Sequence, residues 1–321
     1  MQDTTTQDWR CETAAVIGTG MMGPGIALTL ALGGVRAVIL SRNEDSAEAG
    51  LAKAHQQLAM LQEHGLATHP QAAAAGPLLS ATSDFDQAIA PADIVIESAP
   101  EQMELKQDLF VRIEAIAKPT AVLTSNTSGL SITGIALRCS RPERVMTTHF
   151  WNPPYVMPLV EIVKGARTDD ALALAVQQLM SRCGKVAVMV KKDTPGQLGN
   201  RLQMALVREA VHIVEAGIAD AADVDIAAKC GFGLRLPVYG IFEHMDIVGL
   251  DLAAAVLEYA ATDLYSEKRA PQLVRDKLAA GEIGVRAGRG FYDWSIKSAD
   301  EVKARRDRFV LSFLRDNKPG V

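Results

Sequence analysis

Thr13-Ala14-Ala15-Val16-Ile17-Gly18-Thr19-Gly20-Met21-Met22-Gly23-Pro24-Gly25 is the stretch whose reading decides the fold. A short β-branched run gives way to a turn with G-x-G-x-x-G spacing, and the turn opens a helix. Glycines in such a turn let the pyrophosphate of a dinucleotide come close to a helix N-terminus, where free N–H groups and the dipole favour anions. The letters alone are weak, since a glycine turn that binds nothing reads the same. The strand before and the helix after are what make Gly18, Gly20, Met21, Met22 and Gly23 candidate cofactor residues. No charged residue stands between Thr13 and Val35, a length that in principle crosses a bilayer. Gly18, Gly20, Gly23, Pro24 and Gly25 break that run into strand, turn and short helix, which is a soluble motif.

Outward from this turn, short apolar runs alternate with helical patterns. They fall at Ala14 to Ile17, Ala37 to Leu40, Ile94 to Ile96, Ala121 to Leu123 and Val145 to Met146, and Leu159 to Val163 and Val186 to Val190 extend the series. This rhythm predicts an α/β, Rossmann-type doubly wound parallel sheet. The alanine patch Ala72 to Ala75 reads as the end of a long helix that begins near Glu44. After Lys191 the rhythm stops, and the rest is helical at Leu198 to Ala216, Ala222 to Lys229, Leu252 to Tyr259 and Pro271 to Ala279. A joint at Lys191-Lys192-Asp193-Thr194-Pro195-Gly196 divides a dinucleotide-binding domain, 1–193, from a smaller all-α domain, 194–321.

The 321 residues, 48% hydrophobic and 22% charged, suit two globular domains. A net charge of -5 gives no pull toward nucleic acid or anionic membranes. Cys11, Cys139, Cys183 and Cys230 are far apart, with no C-x-x-C spacing, and read as reduced thiols of a cytoplasmic protein. Met1 to Cys11 lacks the basic-then-apolar layout of a signal peptide. His55, His64, His69, His212 and His244 show no paired ligand spacing, so no metal is expected.

An acid for the adenosine ribose usually ends the second strand; here Ser41 stands in that place, followed by Arg42. A guanidinium matches the geometry of a 2′-phosphate, which points to NADP. The plain alternative is that Ser41 caps the next turn and Arg42 is solvated, which leaves NAD. Both remain open.

Polar groups gather where parallel strands end. Ser125-Asn126-Thr127-Ser128 follows one strand, His149-Phe150-Trp151-Asn152-Pro153 follows the next, and Glu161 lies inside Leu159-Val160-Glu161-Ile162. A carboxylate in so apolar a strand needs a partner, and a histidine cation serves. With Gly199-Asn200-Arg201-Leu202 and Gly288-Arg289-Gly290-Phe291-Tyr292, these motifs resemble, in order and over nearly the whole chain, the 3-hydroxyacyl-CoA dehydrogenase family. The resemblance implies a nicotinamide-dependent oxidoreductase in which His149 exchanges a proton with the substrate oxygen and Glu161 orients it. It implies that Ser128 and Asn200 hold the reacting oxygen. Glu101, Lys106 and Asn152 match positions lining the nicotinamide ribose. The second domain resembles one that dimerises.

Two departures turn the expected substrate from a CoA thioester toward a small free β-hydroxy acid. The segment from Glu44 to Gly65 holds only Lys53 as a permanent cation for CoA phosphates. Gly231-Phe232-Gly233-Leu234-Arg235-Leu236-Pro237 is similar to the branch acting on free hydroxy acids such as gulonate or carnitine, where Arg235 clamps a carboxylate through two parallel bonds. Otherwise Arg235 is a helix-end arginine on surface carbonyls. Trp151 lies in the catalytic loop where acyl-CoA members usually carry phenylalanine, and suggests an aromatic or heterocyclic substrate. The rival reading is a short-chain 3-hydroxyacyl-CoA dehydrogenase.

Overall fold

The structure, a computed structural model, describes residues 9–317. Eight strands form one sheet: β1 Thr13–Ile17, β2 Arg36–Leu40, β3 Leu79–Thr82, β4 Ile94–Glu97, β5 Val122–Ser125, β6 Val145–Phe150, β7 Leu159–Lys164 and β8 Val186–Val190. The helices among them are α1 Gly23–Leu32, α2 Glu44–Glu63, α3 His69–Ala75, α4 Phe85–Ile89, α5 Met103–Ile116, α6 Ile132–Ile135 and α7 Asp170–Arg182. Beyond the sheet come α8 Gly199–Glu215, α9 Ala221–Cys230, α10 Phe232–Arg235, α11 Ile241–Val248, α12 Leu250–Ala260, α13 Gln272–Ala279 and α14 Ala299–Asp316.

The strand order is β3-β2-β1-β4-β5-β6-β7-β8, so the winding reverses between β1 and β4. Ligands of such sheets lie outside the carboxyl ends of the strands at that reversal. Burial on both faces explains the near-continuous apolar runs. Ile26, Leu30, Leu58, Val176 and Leu179 pack one face together with Ala14 and Val16. Ile89, Phe110, Ile113 and Ile135 pack the other with Ala15 and Val95.

The expected doubly wound sheet is present, with corrections of detail. The sheet is not parallel throughout, because β7 runs antiparallel to β6. The helix from Glu44 does not reach Ala75: α2 ends at Glu63, Gly65 turns with φ +72°, and Thr68 starts α3 by a reciprocal capping box with Gln71. β3, unread in the sequence, is Leu79-Ser80-Ala81-Thr82, whose polar letters hide a strand that pairs with β2. By contacts the chain groups as two compact units, one reaching Asn200 and taking up Arg306 onward, the other Arg201–Arg305. No helix among the described residues is long and apolar enough to cross a membrane. The four cysteines are free thiols, and burial pushes Cys139 and Cys183 up to about 11.

Asp93 fastens the opposite end of the sheet. Its carboxylate accepts the Glu12 and Thr13 N–H groups at 3.0 Å each and the Lys118 ammonium at 2.7 Å, joining the start of β1 to the segment before β5. Burial pulls its pKa up, but Lys118 and the two N–H groups outweigh this and hold it below the usual carboxylate value. A depressed folded pKa gives stability that is full above the unfolded value and lost as pH falls through the folded one. Asp93→Asn is therefore expected to cost about 1–3 kcal/mol at pH 7. In urea unfolding across pH, the gap from wild type should close below the ordinary value of 3.8.

Candidate active site

The glycine turn has the form its reading requires. Gly18 has φ +114°, and a Cβ there would stand 2.7 Å from the Ser98 carbonyl oxygen on the neighbouring strand end. A Cβ on Gly23 would stand 1.8 Å from the Gly18 carbonyl oxygen, whereas around a Cβ on Gly20 nothing lies within 4 Å. The first and third glycines are thus needed for packing, and the second leaves open space. Helix α1 begins there with no side-chain cap and no acid in its first turn, so its N-terminal donors are left for an anion. These residues fit a dinucleotide pyrophosphate. Met21 is exposed, and Met22 is the residue before the helix.

Ser41 follows β2, its backbone N–H on Thr82 O and its hydroxyl 3.5 Å from that of Thr19. It does not cap the next helix: Asn43 does, accepting the Ser46 N–H at 2.9 Å. Arg42, between them, is exposed. Lys53 reaches from α2 to the Gly20 carbonyl at 3.1 Å, which places the lone lysine of that helix on the dinucleotide turn.

Two buried carboxylates organise the strand ends. Glu97 ends β4 without exposure. It binds the Lys106 ammonium at 2.7 Å and the Ser125 hydroxyl at 2.6 Å, and also accepts the Ala99 N–H. Lys106 also donates to Ala99 O at 3.1 Å and lies 3.5 Å from Glu101. Glu101 accepts the Thr127 hydroxyl at 2.5 Å and the Ser128 and Gly129 N–H groups at 3.0 Å, shaping the Ser-Asn-Thr-Ser turn. Burial raises its pKa, but these donors and Lys106 bring it below the ordinary value. Asn126 links the turn to β6 by accepting the Phe150 N–H at 2.8 Å.

The second carboxylate is Glu161. In the antiparallel ladder it stands directly opposite His149, where side chains project to one side within contact reach. Oε2 accepts His149 Nδ1 at 2.7 Å and Trp151 Nε1 at 3.1 Å. Oε1 accepts the Leu198 and Gly199 N–H groups at 3.0 and 2.9 Å, so Glu161 caps α8 from another strand. Glu161 is wholly buried, and burial alone raises its pKa. Hydrogen bonds from His149, Gly199 and Trp151 more than offset this and keep it lowered. An ionised carboxylate only accepts, so His149 carries its proton on Nδ1 and Nε2 is left for chemistry.

Asn200 joins this group by donating to Ser128 O at 3.1 Å, and the buried Gln197 donates to Thr127 O at 2.9 Å. The structure therefore pairs His149 with Glu161, Lys106 with Glu101, and Asn200 with Ser128. Asn152 is exposed on the loop after β6. Arg235 ends α10 in the second unit, exposed, with Nη2 3.1 Å from His244 Nε2. Glu97, Gln197 and the N–H groups of Leu198 and Gly199 were not singled out in the sequence. Glu97 alone carried a legible signal: an acid closing the apolar run Ile94-Val95-Ile96 needs a partner as Glu161 does. In the second unit a cavity of about 600 Å³ opens among α8, α9 and α13, and four of its lining residues form pairs, Lys277 with Glu282 and Tyr292 with Asp225. None of its lining residues is among those named for chemistry. No group of three His, Cys, Asp or Glu among the described residues could hold a metal ion.

Residues 13–194 match the family model described as 3-hydroxyacyl-CoA dehydrogenase, NAD binding domain, and residues 196–294 match 3-hydroxyacyl-CoA dehydrogenase, C-terminal domain. The chain belongs to the 3-hydroxyacyl-CoA dehydrogenase family, oxidoreductases acting on CH–OH groups with a bound nicotinamide dinucleotide. A relative in Mesorhizobium japonicum, 5-formyl-3-hydroxy-2-methylpyridine 4-carboxylate 5-dehydrogenase, is 32% identical over 303 residues, which cover 94% of this chain and 96% of that protein. A probable 3-hydroxybutyryl-CoA dehydrogenase of Bacillus subtilis is 37% identical over 285 residues, 88% and 98% of the two chains. Among solved structures, a 5-formyl-3-hydroxy-2-methylpyridine 4-carboxylic acid 5-dehydrogenase described as an NAD+ dependent dismutase superposes with a TM-score of 0.88. It is 30% identical and covers 96% of this chain and 100% of its own.

Removing the ammonium of Lys106, 1% exposed, would leave Glu97 as an unpaired charge out of water. Lys106→Met is expected to destabilise the chain by about 3–5 kcal/mol, and the double variant Glu97→Gln/Lys106→Met to regain much of that. Urea midpoints of the three proteins decide it; a single variant as stable as wild type would show the pair to be dispensable.

Proposed function

We propose that this chain interconverts a 3-hydroxy acid, a secondary alcohol β to a free carboxyl group, and its 3-keto compound, with His149 as the acid/base. The observation that carries the reading is the 2.7 Å bond between His149 and the fully buried Glu161. In oxidation, neutral His149 takes the hydroxyl proton at Nε2 as the C–H hydride leaves, and Glu161 stabilises the imidazolium across Nδ1. Reduction runs the same transfers backward. The nicotinamide, when bound, supplies the hydride acceptor or donor. Asn200 spends one amide hydrogen on Ser128 O, which leaves the other, with the Ser128 hydroxyl, to hold the reacting oxygen. Glu101, Lys106 and Asn152 line the nicotinamide ribose, and the Gly18 to Gly23 turn receives the pyrophosphate.

Cofactor choice turns on Ser41 and Arg42. Ser41 and Arg42 stand where an acid usually ends the second strand, so the 2′-phosphate of NADP would meet a cation there, while NAD is admitted as well.

A free acid is favoured over a CoA thioester for two reasons. Lys53, the lysine of α2, is engaged at the dinucleotide turn rather than offered to CoA phosphates. The solved structure with a TM-score of 0.88 is named for a pyridine carboxylic acid. Arg235 would clamp the carboxylate, and the Trp151 ring, 5.8 Å from that of His149, offers a flat neighbour to a heterocyclic substrate. The thioester reading is supported by the 37% identity to the Bacillus protein.

A homodimer through the helical part, residues 194–321, completes the reading. Among the large apolar side chains of residues 201–305, Val211 is the one that is buried, while Phe242 is 79% and Tyr259 85% exposed on α11 and α12. Such a surface matches the more apolar interfaces of obligate dimers. A cytoplasmic location suits its buried, unpaired thiols.

The test is a panel of free β-hydroxy acids and 3-hydroxybutyryl-CoA with both cofactors, run at the mass found by sedimentation. His149→Gln is expected to lower kcat by about 10²- to 10⁴-fold with cofactor affinity kept. Arg235→Met should lower kcat/KM by about 10- to 150-fold for the free acid and much less for the thioester. Equal losses, or a wild type that prefers the thioester, would replace the free-acid reading with the thioester one.

A further inference from the structure

Glu161 receives four hydrogen bonds, and only one comes from the group it serves. His149 Nδ1 and Trp151 Nε1 share a single oxygen, Oε2, at 2.7 and 3.1 Å, while the Leu198 and Gly199 N–H groups occupy Oε1. The indole is also hemmed in beside its N–H. A Cβ at Gly199 would stand 2.5 Å from Cζ2 of Trp151, so the ring fills the space a side chain there would take.

We propose that Trp151 is a positioning residue that sets the proton affinity of His149, its indole N–H drawing on the same carboxylate oxygen that stabilises the imidazolium. The inference rests on His149 being the acid/base. An oxygen already bonded to one N–H offers less charge to a second, and the imidazolium loses more by this than neutral imidazole, because its bond is the more charge-assisted. Without the indole N–H, Oε2 would be left to the imidazolium alone.

Opposite Glu161 on β8 stands Val188. On β5 the register brings Ser125 beside Thr147 of β6. The charges of β4, α5 and the loop between them, Glu97, Lys106 and Glu101, are engaged with one another. Glu161 itself stays ionised, since the hydrogen bonds from His149, Gly199 and Trp151 outweigh the upward pull of burial.

The experiment follows the His149 imidazole by nitrogen-15 NMR across pH in histidine-labelled protein, with His149→Gln identifying its signal. It compares wild type with Trp151→Phe and with 3-benzothienylalanine at position 151, which keeps the bicyclic ring and lacks the N–H. The expected result is a rise in the His149 pKa of about 0.5 to 1 unit in both variants, the size of one lost hydrogen bond. In kcat/KM against pH for oxidation of the best substrate in the panel, the acid limb should move up by the same amount. That is a loss of about 3- to 10-fold at pH below both values. A purely structural role would lower the plateau and leave the pKa in place. An unmoved or lowered pKa in the benzothienyl variant overturns the proposal. Retained turnover in His149→Gln would instead overturn the acid/base reading, so the two failures are told apart.

Discussion

The carboxylate of Glu161 ties three segments to β7. It lies out of water on β7, and its donors come from β6, from the loop after β6 and from the first turn of α8. An ionised carboxylate without partners in such a place would cost several kcal/mol, and the four N–H groups remove that cost only while all three segments keep their places. The reversal of β7 follows from the same need. Opposite residues of an antiparallel pair put their side chains within contact reach, so His149 and Glu161 meet by register rather than through a loop.

Glu97 is the instructive contrast. Both carboxylates are fully buried near strand ends of one sheet, and both are saturated with donors. Glu97 is matched to the Lys106 ammonium at 2.7 Å, and so makes a strut for the turn carrying Ser128. Glu161 is matched to a histidine, the side chain whose charge changes near neutral pH. The partner, more than the burial, separates the two carboxylates.

Much of this was legible, and what was not has physical reasons. The strands could be read because burial on both faces leaves unbroken apolar runs, and the glycine turn because packing admits no Cβ at Gly18 or Gly23. β3 was hidden since only Leu79 of its four residues is buried. The break between α2 and α3 was readable after all: Thr68-His69-Pro70-Gln71 carries a capping box with proline in the first turn. His149, Glu161, Ser128 and Asn200 announce themselves as short motifs. The direction of β7, the Trp151 bond to Glu161 and the cap on α8 depend on register between distant segments, and no local pattern encodes register.

The two units also differ in how far each closes on itself. The sheet unit buries aliphatic cores on both faces, including Phe110, Ile113, Leu30 and Ile94 without exposure. Helices α9, α11, α12 and α13 of the second unit bury no side chain fully, although α11 and α12 carry Ile241, Phe242, Ile247, Leu252 and Val256. At roughly 25 cal/mol per Å² of apolar surface removed from water, helices left this open gain little of what ordering their backbone demands. In the proposed homodimer a second apolar surface would complete this amphipathic pattern.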